Sequence, residues 1–196
     1  MAGPRRQTYA ALLRGVNLGS RNKVSMADLG ALVAALGYED VRTYLQSGNV
    51  VFVATEPGAT IVRRLEEALA RELGVPASVI VRTRTELRRV VDANPFARRE
   101  RDPKKLLVTF LADTPSRAAV QALDPTEHAP DEFAVVRREV YLHCPNGYGR
   151  TKLSNAYFER KLGVAGTNRN WRTVTALAEL AGGGVGGRKG QARQSA

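Results

Sequence analysis

Residues 8–17 read TYAALLRGVN, an apolar strand pattern that runs directly into a cation, a glycine and an amide side chain. A second segment of the same kind, residues 44–50, reads YLQSGNV. Glycine and asparagine favour the turn conformations in which strands end. Loops carry binding residues more often than cores do. We therefore expect strand ends and a binding site at these two segments.

The patterns around these segments predict a β-α-β-β-α-β order in the first half of the chain, which is typical of a ferredoxin-like unit. The predicted elements are a strand at 8–13, a helix from Ser25 to a stop at Gly37, strands at 41–45 and 50–53, a helix between Pro57-Gly58 and Gly74, and a strand at 78–81. Ser25 is a favourable helix cap, and each glycine is a favourable helix stop.

The second half predicts the same order of elements, although the two halves share no evident residue-level identity. The predicted elements are a strand at 106–111, a helix starting at Asp113-Thr114-Pro115, strands at 133–136 and 140–142, a helix at 151–162, an edge strand at 164–167 and a final helix at 171–180. A helix at 85–91 and a charged segment at 98–105 join the halves.

We therefore predict an α+β fold of two ferredoxin-like (β-α-β-β-α-β) halves, with an extra C-terminal helix and a disordered basic tail. The expected boundaries are a flexible N-terminus at 1–7, the first half at 8–84, the connector and second half with the C-terminal helix at 85–181, and the Gly-rich tail at 182–196. The tail has too little apolar surface to order itself by burial.

The composition predicts a soluble cytoplasmic protein. Hydrophobic residues make up 43% of the chain, which is enough for a core, and no apolar run approaches the roughly 20 residues needed to span a bilayer. We therefore expect no membrane partner. Cys144 is the single cysteine, which excludes an internal disulfide and favours a reducing compartment. The sequence does not indicate an oligomeric state.

The net charge of +11 is concentrated partly at the termini. Arg5 and Arg6 account for two of these charges, and the residues after Gly182 account for three, which leaves +6 for the body of the chain. A basic body favours a polyanionic partner, such as nucleic acid or a phosphorylated small molecule. It is equally typical of a protein from an arginine-rich genome.

The predicted topology brings the two opening segments together. In a ferredoxin-like half the first two strands point the same way, so the loop after the first strand and the hairpin after the second lie at one sheet end. Exposed glycine N–H groups and cations suit an anion. The predicted ligand-binding residues there are Arg14, Gly15, Asn17, Lys23, Gln46, Ser47 and Asn49. The alternative is that the glycines set turns, the amides cap backbone groups and the cations are solvated.

A second polar segment supplies the other predicted ligand-binding residues, Arg150, Lys152 and Asn155. Residues 150–172 contain six cations and one acid, interleaved with aromatic residues, a pattern typical of nucleic-acid surfaces. Tyr157 and Trp171, however, occupy helical positions that face the predicted core.

The sequence offers no strong catalytic constellation and indicates no cofactor. His143 and Cys144 are adjacent on a predicted strand and so point to opposite faces. We expect no metal site, because the chain has no cluster of metal-ligating residues at a recognised spacing. An enzyme that handles phosphate through Arg, Lys and Asn side chains remains open.

Several longer motifs closely resemble the bacterial family catalogued as domain of unknown function 1697. They are ALLRGVN at 11–17, KVxM at 23–26, TYxQSGNV at 43–50, NGY at 146–148, TKLSN at 151–155 with Glu159, and TxRNWxT at 167–173. The resemblance covers about residues 9–180. It implies a small α+β cytoplasmic protein of two ferredoxin-like halves, and no established activity, substrate or cofactor.

The leading hypothesis is a protein whose polar loops bind an anionic ligand: a nucleotide, another phosphorylated metabolite or a nucleic-acid backbone. Two alternatives stand beside it. One is an enzyme acting on a small phosphorylated substrate, and the other is a nucleic-acid-binding module centred on residues 150–172.

Overall fold

The computed structural model describes residues 6–17 and 22–183. The first part of the chain contains β1 (Gln7–Leu13), α1 (Met26–Ala35), β2 (Glu39–Thr43), β3 (Asn49–Ala54), α2 (Gly58–Leu73), β4 (Val79–Thr83) and α3 (Arg84–Asp92). The second part contains β5 (Leu106–Leu111), α4 (Arg117–Gln121), β6 (Glu132–Val136), β7 (Glu139–His143), α5 (Asn155–Leu162), β8 (Gly166–Asn170) and α6 (Trp171–Ala181). Short 3-10 turns lie at Pro103–Lys105 and Tyr148–Arg150.

The strands form two four-stranded sheets with equivalent strand orders, β2-β3-β1-β4 and β6-β7-β5-β8. In each sheet the first strand of the half lies between two antiparallel neighbours. This topology confirms the predicted α+β fold of two ferredoxin-like halves, and α6 is the predicted C-terminal helix. The predicted flexible N-terminus and disordered tail fall largely on residues outside the described part of the chain.

Three predicted element boundaries in the second half were wrong. α4 begins after Ser116 rather than at Asp113-Thr114-Pro115, because the Ser116 side chain accepts the Ala119 N–H and so caps the helix. α5 begins after Ser154 rather than at Thr151, whose hydroxyl instead accepts the Leu153 N–H and holds a turn. The last strand is Gly166–Asn170 rather than residues 164–167.

The strands β1, β3, β5 and β7 are largely buried on both faces, which produces three hydrophobic clusters. α1 and α2 cover the outer face of the first sheet, and α4 and α5 cover the outer face of the second. α3 and α6 pack with the two inner faces. Side chains alternate along a strand, so Ala11 and Leu13 face outward to α1 and α2 whereas Ala10 and Leu12 face the second half.

The helix predicted as a connector, α3, has the same place in the first half as α6 has in the second. Each follows the last strand of its half, and the two helices pack against each other between the sheets. Thr83 caps α3 by accepting the Glu86 N–H, and Asn170 caps α6 by accepting the Thr173 N–H. Each half is therefore a ferredoxin-like unit followed by one central helix.

Arg82 of β4 extends from the first half into the second. Its Nη2 donates to the carbonyl of Leu111 at 2.7 Å and to that of Arg138 at 3.1 Å. Its Nε donates to the Glu139 carboxylate at 2.8 Å. The side chain is 1% exposed, so this pair is a buried ionic contact between the halves.

Arg169 of β8 makes the reciprocal contact from the second half into the first. Its Nη2 donates to the carbonyls of Leu13 at 2.8 Å and Ser47 at 3.0 Å. Its Nε donates to the side-chain oxygen of Asn49 at 2.5 Å, and its Nη1 donates to Thr167 Oγ1 at 2.8 Å. The two arginines thus hold the end of the opposite half's first strand.

Candidate functional site

The loop after β1 and the hairpin between β2 and β3 lie side by side, as the topology predicted. The Leu13 N–H donates to the Gly48 carbonyl at 2.8 Å, and Asn17 Nδ2 donates to the Gln46 carbonyl at 2.6 Å. We call this region, formed by residues 14–17, Lys23 and residues 46–49, the first-half sheet end. Residues 18–21 of the same loop lie outside the described part of the chain.

Asn17 closes the loop with its amide group. It adopts a left-handed backbone conformation with φ of 55°, which asparagine tolerates better than most residues. Its side chain accepts the Val24 N–H and donates to the Val24 carbonyl, each at 2.9 Å, and its own N–H donates to the Asn22 carbonyl. The amide predicted to contact a ligand is therefore engaged with the backbone.

Asn49 is also engaged within the protein, and it is fully buried. Its Nδ2 donates to the Tyr44 carbonyl at 2.8 Å and to Ser47 Oγ at 2.9 Å, while its oxygen accepts from Arg169. Asn49 therefore shapes the hairpin from below instead of presenting its amide at the surface. Ser47 and Gln46 are exposed above it.

Gly48 is required by close packing in the same hairpin. Its φ is 73°, and a Cβ atom built on it would lie 2.5 Å from Val16 Cγ2 and 2.9 Å from Leu13 Cβ. Real Cβ atoms do not approach other heavy atoms this closely, so any other residue displaces the hairpin from β1. Gly15 shares the left-handed conformation, with φ of 72°, but a Cβ atom built on it meets no atom of the described residues within 4 Å.

Arg14 is held at the junction of the halves by Glu159 of α5. Its Nε and Nη2 donate to the two carboxylate oxygens, each at 2.8 Å, and Nε also reaches the Gly166 carbonyl. The hydrogen bond to Glu159 raises the pKa of Arg14. Burial acts to raise the pKa of Glu159, but the bonds from Arg14 and the Gly166 N–H lower it overall. The Arg14 side chain remains 41% exposed.

Arg169 places a buried positive charge directly beneath the hairpin. It is 6% exposed, and burial lowers its pKa to about 10, so it stays protonated at neutral pH. Its acceptors within the described residues are neutral carbonyl, amide and hydroxyl oxygens. Arg82, its counterpart in the first half, is paired with Glu139. The buried arginine at the first-half sheet end therefore lacks a counter-ion among the described residues, whereas the buried arginine at the equivalent end of the second half has one.

The second predicted cluster is divided between two places. Asn155 donates to the Gly166 carbonyl at 3.1 Å, which is also an acceptor for Arg14, so Asn155 lies beside the first-half sheet end. Its side-chain oxygen is buried without a partner in the described residues. Arg150 and Lys152 instead line a cavity of about 420 Å³ whose other lining residues include Glu127, His128 and Asp131.

The aromatic residues of the 150–172 segment are buried or partly buried in the hydrophobic clusters. Tyr157 is 5% exposed and belongs to the outer core of the second half, and Trp171 packs against the central core, as predicted for both. Arg169 is buried as well. What remains at the surface of this segment is the set of cations Arg150, Lys152, Arg160, Lys161 and Arg172.

His143 and Cys144 do not form a catalytic pair with each other. His143 lies between two carboxylates, with Nδ1 3.0 Å from Glu132 and Nε2 3.1 Å from Glu100. Cys144 is fully buried, and burial raises the pKa of its thiol to about 11. Among the described residues, no group of three or more His, Cys, Asp or Glu side chains is arranged to hold a metal ion.

The sequence patterns missed the pair of buried arginines. Arg82 was not singled out, and Arg169 was grouped with the surface cations. A signal was present in the chain: each arginine directly precedes the polar residue that caps a central helix, in Arg82-Thr83 and Arg169-Asn170. Glu159 was noted only as part of a motif, yet it anchors Arg14.

These features define a protein of two ferredoxin-like halves, joined by reciprocal arginines, with a polar sheet end at their junction. The family model described as "Protein of unknown function (DUF1697)" matches residues 6–141, and the chain belongs to this family. The structure of the conserved bacterial protein SP0830 from Streptococcus pneumoniae is similar, with a TM-score of 0.66 and 23% identity over 90% of this chain and 99% of that chain. At this identity the likeness supports the fold alone.

A comparison with curated proteins found no significant match. In the described part of the chain, no helix has the length and apolar character needed to cross a membrane.

Proposed function

We propose that the first-half sheet end binds the phosphate group of an anionic ligand, such as a nucleotide or another phosphorylated metabolite. The observation that carries this proposal is the buried charge of Arg169, which has only neutral acceptors within hydrogen-bond distance among the described residues. A buried charge without a counter-ion is costly, and an anion bound above the hairpin offsets part of that cost.

The surface above Arg169 supplies groups that suit such an anion. Lys23 is exposed, and Arg14 keeps its Nη1 without an acceptor in the described residues. Ser47 Oγ already accepts from Asn49, so its own proton is available for donation. A guanidinium, an ammonium and a hydroxyl together are a typical donor set for phosphate oxygens.

The second half provides an internal comparison that supports the assignment. Its hairpin also lies over a buried arginine, but Glu139 neutralises that charge. A phosphate gains less binding free energy from that arginine, because its charge is already balanced by Glu139. The buried arginine of the first half, and not that of the second, therefore supports a site for a phosphate group.

The proposal is tested by titrating the full chain with inorganic phosphate and with AMP at constant ionic strength, followed by thermal unfolding. Ligand at about 100 times Kd stabilises the fold by about 2.7 kcal/mol. For a chain of this size that raises Tm by roughly 5–10 °C. Lys23→Ala weakens the shift, whereas Lys152→Ala, which removes an exposed cation elsewhere, leaves it unchanged.

Two results contradict the proposal: no stabilisation by either ligand, or equal losses in Lys23→Ala and Lys152→Ala. A nucleic-acid backbone is distinguished by a salt titration with a short oligonucleotide. Binding that spans many phosphates falls steeply with salt, whereas a site for one phosphate group gives a shallow slope.

A further inference from the structure

A cavity of about 300 Å³ opens between α3 and the β6–β7 hairpin. It lies at the second half's equivalent of the first-half sheet end, since the Leu111 N–H donates to the Arg138 carbonyl just as Leu13 donates to Gly48. We call it the hairpin cavity. It does not coincide with the first-half sheet end: Arg82, which bonds to the lining residues Arg138 and Glu139, pairs with Ala10 in β1, whereas Arg169 binds at Leu13.

The acidic groups of the hairpin cavity are already paired. Glu86 accepts from Arg138 at 2.6 Å and from the Thr83 N–H at 2.8 Å. Burial acts to raise the pKa of Glu86, but these bonds lower it overall, so the carboxylate is ionised at neutral pH. Glu139 is paired with Arg82. Neither acid is available to neutralise a further cation at the rim.

Two further cations, Arg89 of α3 and Arg137 of the hairpin, line the same cavity. Both are exposed, and neither forms an ion pair with any other described residue. They belong to different halves of the chain and to different elements, so their charges converge only in the folded protein. An external anion is the group that balances them.

The backbone at Arg137 is unusual for a residue of this size. Its φ of 58° lies in the left-handed region, and the first position of a two-residue hairpin turn with this sign of φ favours glycine. Backbone strain of this kind clusters at ligand-binding positions, where the surrounding structure holds it. Here the strained residue carries one of the two unpaired cations.

The wall behind these cations is apolar. Val90 of α3 and Ala93, the residue that follows α3, line it, and Val136, which is 36% exposed, lies at its edge. The hydroxyl of Tyr141 already donates to the Val90 carbonyl at 3.1 Å, so the cavity floor presents no unpaired hydroxyl from this residue. A ligand that fills this space meets cations at one side and hydrocarbon at the other.

We propose that the hairpin cavity binds a small organic anion, in which a carboxylate or phosphate group is attached to an apolar body. Arg89 and Arg137 pair with the anionic group, and Val90 and Val136 pack against the body. Guanidinium groups match the planar oxygen pair of a carboxylate and the oxygens of a phosphate. A volume near 300 Å³ is at the lower end for ligand cavities and suits a body of one aromatic ring.

The test is an NMR titration of the isotope-labelled full chain with benzoate, phenyl phosphate, neutral benzamide and inorganic phosphate at constant ionic strength. The proposal predicts saturable shifts at residues 136–139 and at Val90 with benzoate or phenyl phosphate, and much weaker shifts with benzamide and inorganic phosphate. The two aromatic anions show whether the cavity prefers a carboxylate or a phosphate.

Variants separate this proposal from the first one. Arg137→Gly removes a cation while relieving the backbone strain, so the variant folds, and it weakens binding of the aromatic anion about tenfold, as does Arg89→Gln. Lys23→Ala leaves this binding unchanged. The proposal is overturned by benzamide binding as tightly as benzoate, by unaltered affinity in both arginine variants, or by shifts that benzoate and phenyl phosphate induce only at the first-half sheet end.

Discussion

Arg82 and Arg169 hold equivalent positions in the two halves, and each donates to the carbonyl that ends the first strand of the opposite half. The acceptors are Leu111 for Arg82 and Leu13 for Arg169. The side chain that receives each Nε differs: it is the Glu139 carboxylate for Arg82 and the Asn49 amide for Arg169. One junction is therefore neutral and the other keeps a buried positive charge.

The first prediction concerns the neutral junction. Glu139→Ala lowers the free energy of unfolding by about 3–5 kcal/mol, because Arg82 is left buried without its counter-ion. Glu139→Gln costs less, since Asn49 already holds a buried arginine through an amide oxygen. Urea unfolding of both variants measures the difference. A Glu139→Gln protein as stable as wild type would show that the charge of Glu139 has no special role.

The second prediction compares two glycines that both have a positive φ. Gly15→Ala costs about 1 kcal/mol, the penalty of a left-handed backbone alone, because the added methyl overlaps none of the described residues. Gly48→Ala costs about 2–4 kcal/mol, because the added methyl also overlaps Val16 and Leu13. The stabilities of the two variants are compared through their unfolding midpoints. A Gly48→Ala protein as stable as Gly15→Ala would contradict the close packing of Gly48 against Val16 and Leu13.

The third prediction concerns Cys144. Because the thiol is fully buried and its pKa is raised to about 11, it does not react with Ellman's reagent at pH 8 in the folded protein. In denaturant it reacts fully. Cys144 is the single cysteine of the chain, so the absorbance signal reports on this site alone. Rapid labelling of the folded protein would place β7 and its following turn at the surface.

The fourth prediction is a pH dependence of the Arg14–Glu159 pair. The folded-state pKa of Glu159 is lowered below 4.5, so the pair stabilises the fold above that pH and loses its effect as the pH falls through the lowered pKa. Glu159→Gln is therefore less stable than wild type by about 1 kcal/mol at neutral pH, since the pair is partly exposed. The two proteins converge in acid. If Glu159→Gln were less stable than wild type by the same amount at every pH, the effect would come from packing and not from the charge of Glu159.

The order of strands and helices could be predicted from the sequence because the residues that begin and end each element are ones that favour those positions. Gly74, for example, ends α2 in the left-handed conformation expected of a helix stop. The starts of α4 and α5 were missed because neighbouring Ser and Thr side chains compete to cap backbone N–H groups, and the choice between them depends on the surrounding packing.

The composition of the candidate site was only partly accessible from the sequence. The meeting of the Arg14 loop with the Ser47 hairpin follows from topology, and the structure confirms it. The role of Arg169 does not follow, because its acceptors in the first half lie 120 or more residues away and are set by how the halves pack. The amides of Asn17 and Asn49 were predicted to contact a ligand, and that contact stays a prediction.

Asn49→Asp tests the claim that the unbalanced charge of Arg169 draws an anion to the first-half sheet end. The substitution places a carboxylate against Arg169, as Glu139 does against Arg82. Phosphate affinity is measured at constant ionic strength, with circular dichroism to verify folding and Gln121→Glu as an exposed control for net charge. We predict a loss of about tenfold or more in Asn49→Asp and no loss in the control. Equal phosphate affinity in wild type and a folded Asn49→Asp protein would contradict the claim.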